Sequence, residues 1–258
     1  MKIEPRTLKG FRDFLPKEAR KRQYVIDTLK KVFESYGFEP LETPALEYED
    51  ILLGKYGDEG DKLMYRFEDN GERRVALRYD QTVPLARVVA QYQNDLPLPF
   101  KRYQIQNVWR AENTQKGRFR EFLQCDIDTI GEKSVGCDVE ILIIVDSCLK
   151  KLGFETFKVI INDRANFEGI NPQAISIIDK LKKIGPEGVK EELRQRGLDE
   201  SLLEQIQSKP PTEWIQTLLN NKELVSGNLV YEPTLARGLD YYTGVIIEVE
   251  IEGFDAGS

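Results

Sequence analysis

The stretch Lys101-Arg102-Tyr103-Gln104-Ile105-Gln106-Asn107-Val108-Trp109-Arg110, continued through Phe119-Arg120-Glu121-Phe122-Leu123-Gln124-Cys125-Asp126-Ile127-Asp128-Thr129-Ile130, decides the fold. Its odd positions are largely apolar (Tyr103, Ile105, Trp109, then Phe119, Leu123, Cys125 and Ile127). Its even positions are largely polar (Arg102, Gln104, Gln106, Arg110, Glu112, then Arg120, Gln124, Asp126 and Asp128), with Phe122 the exception. Side chains alternate faces along a strand, so this pattern predicts two long antiparallel strands joined by the loop Asn113–Arg118. One face is expected to pack on helices while the other presents guanidinium, amide and carboxylate groups in a row. A solvated sheet face would look similar; an aromatic among the polar groups offers a stacking platform and favours a site.

On either side the periodicity changes. Residues 17–36 fit an amphipathic helix with Val25, Leu29, Val32, Phe33 and Tyr36 on one face, Pro16 before it and Gly37 after it. Tyr65 and Phe67, the turn signal Asn70-Gly71, then Val75 and Leu77 predict a hairpin. Thr82 can cap a helix that carries Pro84 in its first turn and buries Leu85, Val88, Val89 and Tyr92. A helix near 135–152 ends at Gly153, and a strand follows at Phe157–Ile161. From about 166 to 225 the segments are helical and charged, broken at Gly185-Pro186, Gly197 and Pro210-Pro211, before Val245, Ile247, Val249 and Ile251 alternate as a strand. Hairpins mixed with helices, without regular βαβ alternation, predict an α+β fold on an antiparallel sheet, with a small α-helical insertion. The expected division is a core over 1–165, the helical insertion over 166–228, and a return to the core over 229–258.

Composition narrows the chemistry. With 258 residues, 40% of them hydrophobic, the chain can bury a sizeable core. No apolar run approaches the roughly 18–20 residues a membrane span needs, and Met1–Arg12 holds no apolar signal segment, so a soluble cytoplasmic protein without a membrane partner is expected. The absence of histidine removes Ser-His and Cys-His nucleophile arrangements and any imidazole base. Cys125, Cys137 and Cys148 form no C-x-x-C pair, so no protein-bound metal is expected. A net charge of −7 argues against a general polyanion binder. Between Lys101 and Arg120, however, six cations face Glu112 alone, which suggests a local phosphate or nucleotide site or a solvated charged hairpin. Neither G-x-x-x-x-G-K-[ST] nor G-x-G-x-x-G occurs, so a glycine-rich loop does not hold the nucleotide.

Four segments then become specific: Gly10-Phe11-Arg12-Asp13-Phe14-Leu15-Pro16, Leu77-Arg78-Tyr79-Asp80-Gln81-Thr82-Val83-Pro84, Trp109-Arg110-Ala111-Glu112 with Gln115-Lys116-Gly117-Arg118, and Leu235-Ala236-Arg237-Gly238-Leu239-Asp240-Tyr241-Tyr242-Thr243. In this order they resemble the histidyl-tRNA synthetase family of class II aminoacyl-tRNA synthetases, over essentially the whole chain. The resemblance implies a ligase that joins L-histidine to ATP, releases pyrophosphate and passes the acyl group to tRNA(His), with Mg2+ accompanying ATP. By match to motif 2, Arg110 would grip the α-phosphate, Glu112 face the adenine, Phe122 stack on it and Arg118 reach the terminal phosphates. Arg237 matches the family's catalytic arginine. Asp80, Thr82 and Gln124 match positions that hold the α-ammonium group; Asp128 and Tyr242 match the pair that bonds the imidazole nitrogens, and Tyr241 lines the same pocket. Asp80 and Asp128 stand where other members carry Glu, and Leu123 where His is usual. Gly37-Phe38-Glu39-Pro40-Leu41-Glu42-Thr43-Pro44 resembles motif 1, which implies a homodimer through this region. Motif 3, a Gly-rich segment with Arg-Tyr-Asp and an anticodon-binding domain are not found in the sequence, so a truncated catalytic core is expected. Two alternatives stay open: a non-catalytic histidine-binding paralogue, the regulatory subunit of ATP phosphoribosyltransferase, and a folded but poorly active fragment.

Overall fold

The computed structural model describes residues 3–55, 57–225, 228–236 and 243–253. The described residues fall into two compact units, one within 3–133 and one within 134–253.

The first unit opens with helix α1 (Pro16–Ser35), which starts on a proline and stops at Gly37, whose φ of +78° few other residues tolerate. The amide of Gly37 donates to Glu34 and that of Phe38 to Phe33, the paired bonds that close a helix on a left-handed glycine. The predicted apolar face is buried only at its end. Val32 and Phe33 are buried, whereas Val25 is exposed, because α1 meets the sheet through its last turns, where Phe33 packs on Tyr103 with ring centroids 5.7 Å apart. Strand β1 (Glu39–Pro40) pairs in parallel with β5 (Phe100–Trp109), which pairs antiparallel with β6 (Glu121–Ile130) over ten residue pairs. The joining loop runs from 110 to 120, longer than predicted, so Arg110 and Glu112 sit beyond the strand.

Between β1 and β5 lie β2 (Leu46–Tyr48), the short helices α2 (Glu49–Leu52) and α3 (Gly57–Lys62), β3 (Arg66–Glu68), β4 (Arg74–Leu77) and α4 (Thr82–Gln91). Strands β2, β4 and β3 form an antiparallel sheet in that order. The hairpin turns at Glu72 (φ 58°) and not at Gly71: the Asp69 carboxylate accepts from the amides of Gly71 and Arg73 and holds a longer turn than Asn-Gly alone would make. At the start of α4, Asp80 Oδ1 accepts from the Val83 amide at 3.2 Å, so the capping expected of Thr82 is performed by Asp80. Leu85 and Val88 are buried as predicted, but Tyr92, past the helix end, is exposed.

The second unit is built on a sheet of order β8-β7-β9, with β7 (Phe157–Asp163) central, β8 (Asn228–Tyr231) parallel to it and β9 (Val245–Ile251) antiparallel. Its helices are α5 (Val135–Lys151), α6 (Pro172–Ile178), α7 (Leu181–Gln195, interrupted at Gly185), α8 (Leu202–Gln207) and α9 (Glu213–Asn220). Alternation along β7 sends Phe157, Val159 and Ile161 into one apolar cluster with Leu142 of α5 and Ile215 and Leu218 of α9. Ile160 and Ile246 join the other cluster, with Ala174, Val189, Leu193, Leu203 and Ile206 of α6–α8. The helices of the stretch 166–228 thus share their cores with β7, β8 and β9. Ile161 is fully buried at the centre of this sheet. Ile161→Ala is expected to lower the stability of this unit by about 2–5 kcal/mol, measured by urea unfolding with Trp214 fluorescence in a Trp109→Phe background.

Candidate functional site

The register of β5 and β6 sets Arg102 opposite Asp128, Gln104 opposite Asp126, Gln106 opposite Gln124 and Val108 opposite Phe122. The even face is therefore polar, as the alternation requires, and it is also the more deeply buried. Arg102 and Gln104 are 0% exposed, while on the odd face Ile105, Leu123 and Ile127 are half-buried and Cys125 is exposed, with Tyr103 covered by α1. Burial of such a row is offset in part by contacts among its own members. Arg102 Nη2 forms an ion pair with Asp128 Oδ2 at 2.6 Å, and its Nη1 donates to Gln104 Oε1. Gln104 Nε2 donates to Thr43 Oγ1 at 2.8 Å and to Gln106 Oε1 at 2.6 Å. Just past β4, buried Arg78 donates to the carbonyls of Asn107, Thr43 and Pro44 and to Gln106 Oε1, tying the segment after β1 to β5. Burial lowers the pKa of Arg78, but a guanidinium starts so high that it stays charged.

Three carboxylates gather at the Arg102 end of the face. Asp80 is 1% exposed. Burial raises the pKa of Asp128; Arg102 opposes the shift and Asp80 adds to it. Burial likewise pushes Asp126 up to about 6, against the hydrogen bonds from Gln124 and the charge of Arg102, with Asp128 and Asp80 adding to the rise. Gln124 Nε2 donates to Asp126 Oδ1 at 2.9 Å and Oδ2 at 2.7 Å. Gln81 Nε2 bridges the carbonyls of Gln106 and Gln124, which seats the start of α4 on both strands.

At the other end of the face, Arg110 Nε donates to the Tyr79 carbonyl at 3.1 Å, and its guanidinium lies 4.6 Å from the Tyr79 ring centroid and 5.1 Å from that of Phe122. Phe122 is thus a stacking platform already touched by a cation. In the loop, Glu112 pairs with Arg118 at 3.7 Å, and Arg120 Nε donates to the Glu112 carbonyl. The N-terminal segment braces this loop. The Arg120 amide donates to the Gly10 carbonyl, and Arg12 lies 3.2 Å from the Phe119 ring centroid. A Cβ on Gly10 (φ +89°) would fall 2.7 Å from Arg120 Cγ and 2.9 Å from Thr114 Cγ2, so only glycine fits. Gly10, Phe11, Thr114, Gln115, Arg118 and Phe119 line a cavity of about 300 Å3 beside it.

Of the residues singled out in the sequence, Asp80, Gln124 and Asp128 gather with Asp126 and Arg102, and Arg110 meets Phe122. Thr82 stands in the first turn of α4, and Glu112 and Arg118 pair within the loop. Arg237, Tyr241 and Tyr242 lie outside the described residues. Sequence reasoning missed the supporting roles of Arg78, Arg102, Gln104 and Asp126. The signal for three of them was present, since they are even-numbered residues of the polar row. Among the described residues no group of three or more Cys, Asp or Glu side chains could hold a metal ion, and no helix is long and apolar enough to cross a membrane.

A crystal structure of histidyl-tRNA synthetase from Nostoc sp. PCC 7120 superposes with a TM-score of 0.83 at 33% identity, covering 100% of this chain and 68% of that one. A structure described as an ATP phosphoribosyltransferase regulatory subunit/histidyl-tRNA synthetase from Bacillus halodurans C, 23% identical, shares the fold with a TM-score of 0.76, covering 97% of this chain and 74% of that one. The fold is the α+β fold of the class II aminoacyl-tRNA synthetases. The histidyl-tRNA synthetase family profile matches residues 10–173, and the histidine–tRNA ligase of Helicobacter hepaticus is 41% identical over 96% of this chain. The chain belongs to the histidyl-tRNA synthetase family. It spans 66% of the Helicobacter relative's length, just under two thirds.

The raised pKa of Asp126 has a stability consequence. In the window between an ordinary carboxylate value near 4 and about 6, the folded chain holds a proton on Asp126 that the unfolded chain has released, so stability falls as pH rises through that window and levels off above it. Asp126→Asn is expected to remove this component, on the order of 3 kcal/mol, and to be the more stable protein at pH 7. The check is the difference in urea midpoints between the two proteins at pH 4.5 and 7.

Proposed function

We propose that this chain is the catalytic core of a histidine–tRNA ligase: it activates L-histidine with ATP to histidyl-adenylate and, with tRNA(His), transfers the acyl group. The observation that carries the reading is one buried sheet face with carboxylates Asp80, Asp126 and Asp128 at one end and the cationic, aromatic pair Arg110–Phe122 at the other. An amino acid with a cationic ammonium and a hydrogen-bonding ring suits the first end. A nucleotide, which needs charge for its phosphates and a flat surface for its base, suits the second.

In the activation step the histidine carboxylate attacks the α-phosphorus of ATP, a P–O bond forms to the carboxylate, and the bond to the pyrophosphate leaving group breaks. Two anions meet, so positioning and positive charge do most of the work and no imidazole base is required. Arg110 would hold an α-phosphate oxygen, restrained by Tyr79 and Phe122; Phe122 would stack on the adenine, with Glu112 at its edge. Arg118 would exchange Glu112 for the terminal phosphates. Mg2+ enters with ATP as part of the nucleotide substrate. Asp80, Thr82 and Gln124 would take the ammonium group and Asp128 an imidazole nitrogen; the family motif assigns Tyr242 to the other ring nitrogen and Tyr241 to the same pocket. A site built to meet both ring nitrogens rejects amino acids that lack them, because its buried polar groups would be left unpaired. Arg237 is assigned the charge developing at the α-phosphate.

By role, the core divides as 1–165 with motifs 1 and 2, a helical insertion over 166–228, and the histidine-binding loop and strand over 229–258. A homodimer through motif 1 is in keeping with β1, a two-residue strand at the edge of its sheet. A cytoplasmic setting follows from the substrates.

Histidine-dependent ATP–pyrophosphate exchange tests the reading. The wild-type chain is expected to exchange with L-histidine and no other amino acid, and Arg110→Ala to lose about 100-fold or more in rate. Histidine binding without exchange would favour the phosphoribosyltransferase-type regulatory paralogue or an inactive fragment. Absence of histidine binding would overturn the assignment.

A further inference from the structure

We propose that Asp126 is a positioning residue for the ammonium end of the amino-acid site: it locks the Gln124 amide so that the carbonyl oxygen is the atom offered to the ligand. This rests on the reading of Gln124 as part of a histidine site. A primary amide has a donor end and an acceptor end, and which one faces a ligand decides whether a cation is attracted or repelled. Both Asp126 oxygens accept from the single nitrogen of Gln124, at 2.9 and 2.7 Å. The reversed amide would set its oxygen against two carboxylate oxygens, so the orientation holds while Asp126 is ionised. Gln124 Oε1 is left buried, with no hydrogen-bond partner among the described residues. It is an acceptor awaiting a donor, which an ammonium group supplies.

The surroundings leave this role to Asp126. Gln104, its partner across the strands, donates elsewhere, to Thr43 and Gln106. The charged groups facing Asp126 are Arg102 on β5, Asp128 on β6 and Asp80 before α4, and Arg102 is engaged with Asp128 and Gln104. With the carboxyl pushed up to about 6, protonation falls within reach of mild acid. A protonated Asp126 becomes a donor, the amide can turn to meet it, and Nε2 then points at the ligand's cation. The same carboxylate is costly to keep buried and charged, so the residue exchanges stability for ligand orientation.

The test is calorimetric titration of L-histidine into the 258-residue chain between pH 5 and 8 for wild type, Asp126→Asn, Asp126→Glu and Gln124→Leu. Asparagine can donate to Gln124 Oε1 and consume the acceptor, so Asp126→Asn is expected to bind about tenfold more weakly at pH 8. The wild-type advantage should shrink towards unity at pH 5. Taking the ratio of the two proteins cancels the titration of free histidine itself. Asp126→Glu should recover part of the affinity, and Gln124→Leu, with no amide to turn, should bind weakly with only the ligand's own pH profile. Equal affinities for wild type and Asp126→Asn at pH 8, or a ratio flat with pH, would overturn the inference while leaving the histidine site standing. Should Asp126→Asn fail to fold by circular dichroism, a wild-type profile no steeper than that of Gln124→Leu would overturn it instead. No histidine binding by wild type would remove both the inference and the reading beneath it.

Discussion

A guanidinium with no exposed surface is among the most demanding groups a small unit can bury, and Arg102 is such a group. Its charge is met by Asp128, directly opposite on the neighbouring strand at 2.6 Å. Breaking that pair would strand a buried charge, so the ten-residue register of β5 and β6 is held by more than backbone bonds. A slip of one residue would carry the whole polar row to the other face and leave Arg102 against apolar groups. The Gln104–Gln106–Arg78–Thr43 chain of hydrogen bonds is what allows the row to lie inward.

That constraint also gives the face its electrical character. Three carboxylates lie against one guanidinium at the Asp128 end, so the balance there is negative, and burial holds Asp126 and Asp128 above the ordinary carboxylate range. The opposite end, at Phe122, lies about 20 Å away along β6 at the usual strand rise, and there Arg110 and the loop arginines dominate. A molecule with a cationic head and an anionic reaction partner is thereby sorted along a single strand. Rigidity comes from the supports: Gln81 clips α4 to both strands, and Gly10 clips the loop.

The second unit follows a different logic. Apolar clusters lie on both sides of its central strand, and polar anchors serve packing: Trp214 Nε1 donates to Asp138 across α9 and α5, and Thr212 caps α9 while donating to Asp163. Stability here rests on buried area, whereas in the first unit an appreciable share of the interior is spent on groups suited to ligands.

Much of this was legible in the residues. The alternation from Arg102 to Asp128 determined two strands with one polar face, Gly37 and Gly153 marked helix ends, and the ordered motifs determined the family. Local patterns report spacing along one chain, and spacing decides which residues share a face. They do not report which face is covered, so the deeper burial of the polar side emerged only with Arg78 and Thr43 folded against it. Nor do they report competition for a donor: Asp80 rather than Thr82 takes the Val83 amide at the start of α4, and Asp126 rather than Gln104 holds the Gln124 amide while Gln104 is drawn to Thr43, 61 residues away in sequence. Tertiary structure decided those, since hydrogen bonds and buried charges are settled by whichever partners packing brings within about 3 Å.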